Sequence, residues 1–331
     1  MRAALYERTG PAAEVLQLVD LPTPEPAAGE VRVKLHRSGV NPSDVKSRGG
    51  ARTKTLAFPR IVPHSDGTGV IDAVGAGVDA SRVGERVWVW NAAWRRPFGT
   101  AAQFVALPAV QAVRLPDNTD FDAGACLGIP ALTALHAMLV DGGVAGKRVL
   151  VAGGAGAVGH YAVQFARALG ARQVIATVSS DAKAALARDA GADAAANYRD
   201  GKLVDEVMAL TGGAGVDRIV EVDFAANVKA DLAMLRAHGE IVVYGSGAAE
   251  IAVPFFDSIV KNVGLRFFIV YNLAAQDRQQ AAAVLAALLE RGALKHNIAE
   301  RLPLERIAQA HERVESGRVV GNVVLTIDGS R

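Results

Sequence analysis

The sequence predicts an α/β protein in which a doubly wound parallel sheet fills the middle of the chain and a β-rich domain precedes it. Three observations carry this. A glycine turn, Gly153-Gly154-x-Gly156-x-x-Gly159, stands between a short apolar strand and an amphipathic helix. From Lys147 onward, strand and helix patterns alternate, which is how a parallel sheet with crossover helices reads in sequence. Before Asp122 the patterns are short and strand-like, punctuated by proline and glycine. At 331 residues, two domains are the natural expectation.

In the first part, strands are expected over residues 2–6, 16–21, 30–38, 70–74, 86–90, 102–106 and 112–115. Pro22, Pro24, Pro26, Gly29, Gly75, Gly77 and Gly84 separate them. Such spacing suggests a partly closed barrel or a compact β domain. Trp88 and Trp90 alternate on one strand and read as core, whereas Trp94 and Phe98 sit in a polar-aromatic loop. Helical patterns over 121–127 and 130–140 mark the change of composition. The alternating part then places strands at 149–152, 173–178, 194–196, 218–221, 240–244 and 265–270. Helices fall at 157–169, 181–190, 203–210 and 227–236. Helix 277–291 and strand 322–327 close the chain. That last strand follows no further nucleotide-binding unit, so a return to the first domain is expected. No repeat or low-complexity tract is present.

The glycine turn carries the chemistry. Val149, Leu150 and Val151 form an apolar run suited to a strand buried on both faces. After the turn, Val158, Ala162, Val163, Phe165, Ala166 and Leu169 recur at helical spacing, and Gly170 supplies the stop. Gly154-Ala155-Gly156-Ala157-Val158-Gly159 fits the dinucleotide fingerprint. Gly154 is expected to permit the tight turn, Gly156 to let the backbone approach a pyrophosphate, and Gly159 to let helix and strand pack closely. The diphosphate then meets free N–H groups at the positive end of the helix dipole. The alternative is a structural glycine turn with no ligand. An NAD site places a carboxylate at the end of the second strand. Here Ser179 and Ser180 stand in that place, and Lys183 follows one turn later. Hydroxyls and an ammonium suit a 2′-phosphate, which favours NADP over NAD. Asp181 reads as the first-turn acid of the next helix, and Lys183 taken alone also reads as a solvated helix residue.

Composition narrows the partners. Half the residues are hydrophobic, and the net charge is +2 with no run of five like charges. This argues against a nucleic-acid groove or an anionic membrane surface. Cys126 is the only cysteine, which excludes an intrachain disulfide and a cysteine-rich zinc site. The N-terminal residues lack the apolar core of a signal peptide, and no apolar run is long enough to span a bilayer. A soluble cytoplasmic protein is expected.

Further segments are recognisable in their order: Gly39-Val40-Asn41-Pro42-Ser43-Asp44, Asp66-Gly67-Thr68-Gly69-Val70, Gly84-Glu85-Arg86-Val87, Ile129-Pro130-Ala131-Leu132-Thr133-Ala134, the glycine turn with Gln164, Gly191-Ala192-Asp193 and Asn197-Tyr198-Arg199. Over nearly its whole length the chain resembles the zinc-free NADPH:quinone oxidoreductase (zeta-crystallin-like) branch of the medium-chain dehydrogenase/reductase superfamily. Two positions depart from that pattern. Ala157 replaces a second glycine, and Lys46 stands where the family often has tyrosine.

The resemblance implies a GroES-like catalytic domain from residues 1–122 and 272–331 and a Rossmann domain over 123–271, with the active site in the cleft between them. It implies that Thr133 holds the nicotinamide carboxamide, and that Lys183 and Tyr198, with help from Arg199, hold the adenosine 2′-phosphate. Tyr244, Gly245 and Ser246 would follow the fifth strand beneath the nicotinamide, and Phe268, Ile269 and Val270 would pass close to it. Asn41 and Asp44 would face the cleft, in positioning roles with no general acid assigned; Asn41 reads equally as a substrate or cofactor-ribose contact and as an Asn-Pro turn residue. Lys46, His64, Trp94 and Tyr271 are further candidates for the substrate wall. His136 and His160 read as structural.

In the zinc enzymes of this superfamily a catalytic cysteine stands where this chain has Asn41, and a ligand histidine aligns with Ser65, so that His64 is out of register. Cys126 has no ligand neighbour in sequence, and no zinc site is expected. Without a Lewis acid an alkoxide goes unstabilised, whereas an electron-poor quinone accepts hydride with less help. The expected activity is NADPH-dependent quinone reduction. An enone or enal double-bond reductase is the nearest rival, and a non-catalytic NADPH-binding protein that recognises RNA or packs structurally is the rival of another class. Residues 264–270 form an apolar, β-prone last strand, and its open edge predicts a homodimer.

Overall fold

The computed structural model describes residues 1–51 and 53–327; positions 328–331 of the expected catalytic segment lie outside them. Strand β1 (Arg2–Leu5) pairs antiparallel with β2 (Gln17–Asp20), and a one-turn helix α1 (Ala12–Val15) connects them. Then come β3 (Glu30–Val40), helix α2 (Pro42–Arg48), β4 (Asp66–Val74), β5 (Arg86–Val89), β6 (Phe104–Pro108), β7 (Ala112–Arg114) and the short helix α3 (Phe121–Gly124). Val31, Val33 and Leu35 alternate inward along β3, as period-two patterning requires. This strand is the hub of its sheet. β4 pairs along one edge, and β6 pairs at one end of the other. β4 starts at Asp66, earlier than the expected 70–74. The polar, glycine-rich stretch before Val70 joins the ladder because Gly69 has no side chain; a Cβ there would sit 2.0 Å from the Lys34 carbonyl oxygen.

The middle of the chain alternates as expected except for α9, which the sequence reading did not place: α4 (Leu132–Leu139), β8 (Arg148–Val151), α5 (Ala157–Ala168), β9 (Gln173–Val178), α6 (Asp181–Asp189), β10 (Ala194–Asn197), α7 (Leu203–Leu210), β11 (Val216–Glu221), α8 (Phe224–Met234), β12 (Leu235–Val243), α9 (Phe255–Val260), β13 (Gly264–Phe267) and α10 (Ala275–Glu290). The six strands are parallel, in the order β10-β9-β8-β11-β12-β13. The chain leaves β8 toward one edge and returns to continue toward the other. The point between β8 and β11 is therefore the topological switch, and ligands of such sheets bind outside the carboxyl ends of the strands there.

Two expected boundaries are corrected. β12 begins at Leu235 rather than 240, because α8 stops at Met234 and the chain enters the sheet directly. The strand expected over 265–270 ends at Phe267. Phe268 makes the last ladder bond, to the Val243 carbonyl, and Val270–Asn272 then winds into a 3₁₀ turn.

After α10 come β14 (Ile298–Pro303), α11 (Ile307–Glu315) and β15 (Asn322–Thr326). β15 returns to the first sheet, antiparallel to β3 and parallel to β14. β14 and α11 escape the sequence reading. β14 is largely solvent-facing, and α11 buries only a narrow stripe of Ile307, Ala310 and His311. The chain divides into two compact units, Met1–Ile129 with the segment from Ala286, and Pro130–Leu285. The first boundary falls beyond the composition change at Asp122, because α3 packs on β3 and β4 and the Ile129 amide donates to the Asp66 carboxyl at 3.1 Å. The second falls inside α10, past the expected 271.

Candidate functional site

In the second unit, the turn between β8 and α5 shows why each glycine is needed. The left-handed residue is Gly153, with φ of 66°, and not Gly154. Gly154 answers to packing: a Cβ there would lie 2.5 Å from the Ala176 Cβ on β9. The turn role assigned to Gly154 therefore belongs to Gly153, because the chain reverses one residue earlier than the fingerprint spacing suggests. Gly159 has no room at all, since its Cβ would sit 2.1 Å from the Gly153 carbonyl oxygen. Gly156 differs from both. It is the N-cap of α5, and its Cβ would meet only the Gly153 oxygen, at 3.2 Å. No other turn or side-chain atom lies within 4 Å of that Cβ position, at the start of α5. Gly153 N–H donates to Thr177 Oγ1 at 3.1 Å and Gly154 N–H to the Thr177 carbonyl at 3.0 Å, fixing the turn to the end of β9. Ala155 is buried within it.

Beside the turn, β9 ends in a small polar cluster. Lys183 Nζ donates to Ser179 Oγ at 2.9 Å, and the Ser180 side chain caps α6. Asn197 pairs opposite Val178, so Ser179 and Tyr198 leave the sheet from adjacent strands. Tyr198 is exposed and opens a 3₁₀ turn, where Asn197 Oδ1 accepts from the Arg199 amide at 3.1 Å. The cluster holds hydroxyls and one ammonium.

On the other side of the switch point, Tyr244, Gly245 and Ser246 follow β12. A Cβ on Gly245 would be 2.2 Å from the Val222 carbonyl oxygen, so this turn lies directly on the end of β11. Phe224 N–H donates to the Gly245 carbonyl, and Gly247 N–H to Asp223. Burial, and then the nearby Glu221 carboxyl, raise the Tyr244 phenol above its usual range. Phe268 meets His136 of α4 edge-on, with ring centres 4.6 Å apart. Arg278 of α10 donates to the carbonyls of Val270 (2.7 Å) and Tyr271 (3.3 Å), which holds Ile269 and its neighbours where the chain leaves the sheet. Thr133 is buried in α4, the helix that packs on α5 and on the Val270–Asn272 turn.

Sequence reasoning missed two buried features of this unit. Glu221 at the end of β11 and Asp231 of α8, two elements that pack together, are both buried. Glu221 Oε1 accepts from Asn227 at 3.0 Å and from the Asp223 amide. Burial first, then the Glu221 charge, push the Asp231 carboxyl up to about 9, so the pair retains a proton at neutral pH. Arg218, fully buried in β11, donates to the carbonyls of Ala137 and Val140 at the end of α4 and to Glu240. The available signal was a charged residue inside an otherwise apolar parallel strand.

In the first unit, Asn41 is the N-cap of α2 with Pro42 behind it, and Asp44 Oδ2 accepts from the Asn41 amide at 2.8 Å. Asn41 Nδ2 donates to Asp66 Oδ2 at 2.9 Å. Asp66 is fully buried, and burial followed by the Asp44 charge raise its carboxyl well above the usual range. Lys46 is exposed on the same helix, and Trp94 is half-buried on its loop under the Arg95 guanidinium.

His64 is corrected: it lies in the interior and lines no wall. Its direction of bonding follows from counting protons. Thr100 donates its only hydroxyl hydrogen to the Asp66 carbonyl, so Ser38 must donate to Thr100 at 2.7 Å. Ser38 Oγ then accepts from His64 Nδ1–H at 2.8 Å, and His64 Nε2 accepts from His311 Nε2–H at 2.9 Å. Both rings are kept neutral by burial; His311 is pushed down to about 3. Cys126 is buried too, and burial raises its thiol.

Among the described residues, no group of three or more His, Cys, Asp or Glu side chains is placed to hold a metal ion, and no helix is long and apolar enough to cross a membrane. Residues 27–117 match the family model "Alcohol dehydrogenase GroES-like domain", and residues 157–288 match "Zinc-binding dehydrogenase". A quinone oxidoreductase of Pongo abelii is 34% identical, covering 99% of this chain and 98% of the relative. A solved NAD-dependent alcohol dehydrogenase is 31% identical with a TM-score of 0.91, covering 99% of this chain and 100% of its own. A mycobacterial protein complexed with NADPH is 31% identical with a TM-score of 0.88 and the same coverage. Together with the doubly wound sheet and its glycine turn, these likenesses make the chain an oxidoreductase that belongs to the quinone oxidoreductase branch of the medium-chain dehydrogenase/reductase superfamily.

Proposed function

We propose that the protein reduces quinones by hydride transfer from NADPH, without zinc. The observation that carries this reading is the Ser179–Ser180–Lys183 cluster beside the glycine turn, where an NAD site would present a carboxylate. The residues fit the cofactor. The uncrowded N-cap at Gly156 and the α5 amides suit a diphosphate, and Lys183, Ser179, Ser180 and Tyr198 suit a 2′-phosphate. Thr133, Tyr244 to Ser246 and Phe268 to Val270 would orient the nicotinamide end. When bound, NADPH supplies the hydride to the electron-poor acceptor. The chain's own work is alignment, exclusion of water and polar contact with the oxygen on which charge develops. The relatives named quinone oxidoreductase support the acceptor class.

The test is binding and turnover together. NADPH should bind more tightly than NADH, and Lys183→Ala should weaken NADPH about tenfold while leaving NADH unchanged, in keeping with the loss of a charge-assisted contact. Equal affinity of the native protein for both cofactors sinks the cofactor reading. Faster turnover of an enone than of a quinone would move the substrate to the rival class.

Zinc independence rests on the donor set. The Asn41 carboxamide is spent on Asp66, both His64 nitrogens are spent on Ser38 and His311, and the Cys126 thiol is buried. Prolonged dialysis against EDTA should leave quinone reduction intact. Activity lost on chelation and restored by zinc refutes this part.

The protein should also be a homodimer joined through β13. Among the described residues this strand pairs only with β12, and all four of its residues are exposed. Phe255, Phe256 and Val260 of the preceding α9 are exposed as well, at 74%, 72% and 62%. An open apolar edge of this kind invites strand pairing, and a two-fold partner satisfies both edges. Light scattering should give twice the chain mass, and Phe267→Lys should give the monomer. A native monomer counts against the arrangement.

A further inference from the structure

We propose that the first unit carries a second ligand site, built for a flat aromatic monocarboxylate. The site is a cavity of about 420 Å³, lined throughout by residues of that unit. This volume falls within the range of small-molecule sites. Its apolar walls include Phe98, Phe104, Val62 and Val105, and its rim includes Pro22 and Pro24. The cavity stays open because the rim cannot collapse onto the sheet. Prolines have no N–H with which to extend a ladder. Arg32, itself held by Asp72 at 3.0 Å, donates to the Pro24 carbonyl at 3.2 Å. Leu21 N–H donates to the Met1 carbonyl at 2.9 Å and pins the other end of the rim.

Charge then selects the ligand. Two guanidinium groups line the cavity. That of Arg96 is spent on the Ala106 carbonyl at 2.6 Å and on Glu30 at 3.4 Å. That of Arg60 makes no hydrogen bond or ion pair among the described residues. One unspent guanidinium matches one carboxylate in a two-point fork. Glu30 also lines the cavity and opposes a multiply charged phosphate, which separates this site from a nucleotide pocket. The aromatic and proline walls favour a planar ring body over a flexible chain, since less rotamer freedom is lost on binding. The glycine turn and the strand ends belong to the second unit, so the two binding events involve different residues.

Calorimetric titration of the full chain with 2-naphthoate, with and without saturating NADPH, tests this. The neutral 2-naphthalenemethanol serves as reference. One naphthoate per chain is expected, with affinity at least tenfold above the alcohol and changed less than twofold by NADPH. Arg60→Gln should abolish the preference for the carboxylate, and Arg60→Lys should retain part of it. Thr23→Trp, at an exposed rim position, should weaken both probes. Quinone turnover by all three variants should equal that of the native protein in the absence of naphthoate. The proposal is overturned by absence of binding, by equal affinity for the two probes, or by a preference that survives Arg60→Gln. It is also overturned if a quinone displaces naphthoate while Thr23→Trp does not weaken it, because the probe then occupies the acceptor site.

Discussion

Replacing Gly159 with alanine is expected to lower NADPH affinity at least 100-fold and to destabilise the protein by about 3 kcal/mol, the upper end of the usual range for overpacking. The added Cβ would stand 2.1 Å from the Gly153 carbonyl oxygen and 2.8 Å from its carbon. Both atoms are backbone, in a turn whose φ of 66° already favours glycine and whose amides are tied to Thr177. Relief requires the turn to leave the end of β8, and the α5 amides then no longer converge on the diphosphate. Gly156→Ala separates the two effects. Its Cβ meets only one atom, at 3.2 Å, and the backbone is extended at φ of −76° and ψ of 176°, so the fold should tolerate it within about 1 kcal/mol. The methyl group does occupy the space a diphosphate needs, and NADPH affinity should fall about tenfold. Thermal unfolding and cofactor titration of the two variants check this. Intact NADPH binding by Gly159→Ala removes the turn from the cofactor site.

Asp231→Asn should stabilise the protein at alkaline pH. In the folded chain Asp231 holds its proton up to about 9, whereas in the unfolded chain it ionises near the ordinary carboxylate value of about 4. The folded state therefore binds more protons throughout that interval. This stabilising contribution is fully present below about pH 4 and is lost as pH rises toward 9. Glu221 is raised in the same direction by burial and cannot take up a second charge beside Asp231. An asparagine presents an N–H to Glu221 without any titration, so the loss disappears. The unfolding free energy of the variant minus that of the native protein should rise by on the order of 2–4 kcal/mol between pH 5 and pH 9. Taking the difference removes other titrations. Asp66, raised by burial, acts with the same sign. His64 and His311, lowered by burial, act with the opposite one, because they must stay neutral to remain folded. Parallel stability curves for the two proteins sink this account of the acid pair.

What the sequence by itself determined was the part of the fold written in local patterns. Apolar runs and helical periodicity between Lys147 and Phe267 placed the parallel strands and every crossover helix but α9, whose exposed apolar residues carry no buried face to read. The glycine spacing marked the turn, and Ser179, Ser180 and Lys183 marked the polar end of β9. These are legible because a tight turn, a helix cap and a buried strand each depend on residues a few positions apart. Even there, the left-handed residue proved to be Gly153, since the direction of chain reversal depends on how the turn meets β9.

The tertiary structure alone decided where polar groups find partners. His64 could not be known as a core residue until α11 delivered His311, 247 positions later in the chain. Glu221 and Asp231 act on each other because α8 packs against β11. Arg218 closes the end of α4 from about 80 positions away. The open edge at β13 and the cavity behind Pro22 and Pro24 are likewise products of strand order and rim anchoring. A buried polar atom must be satisfied by whatever the fold brings near it. That neighbour is set by topology, and sequence periodicity carries no record of it.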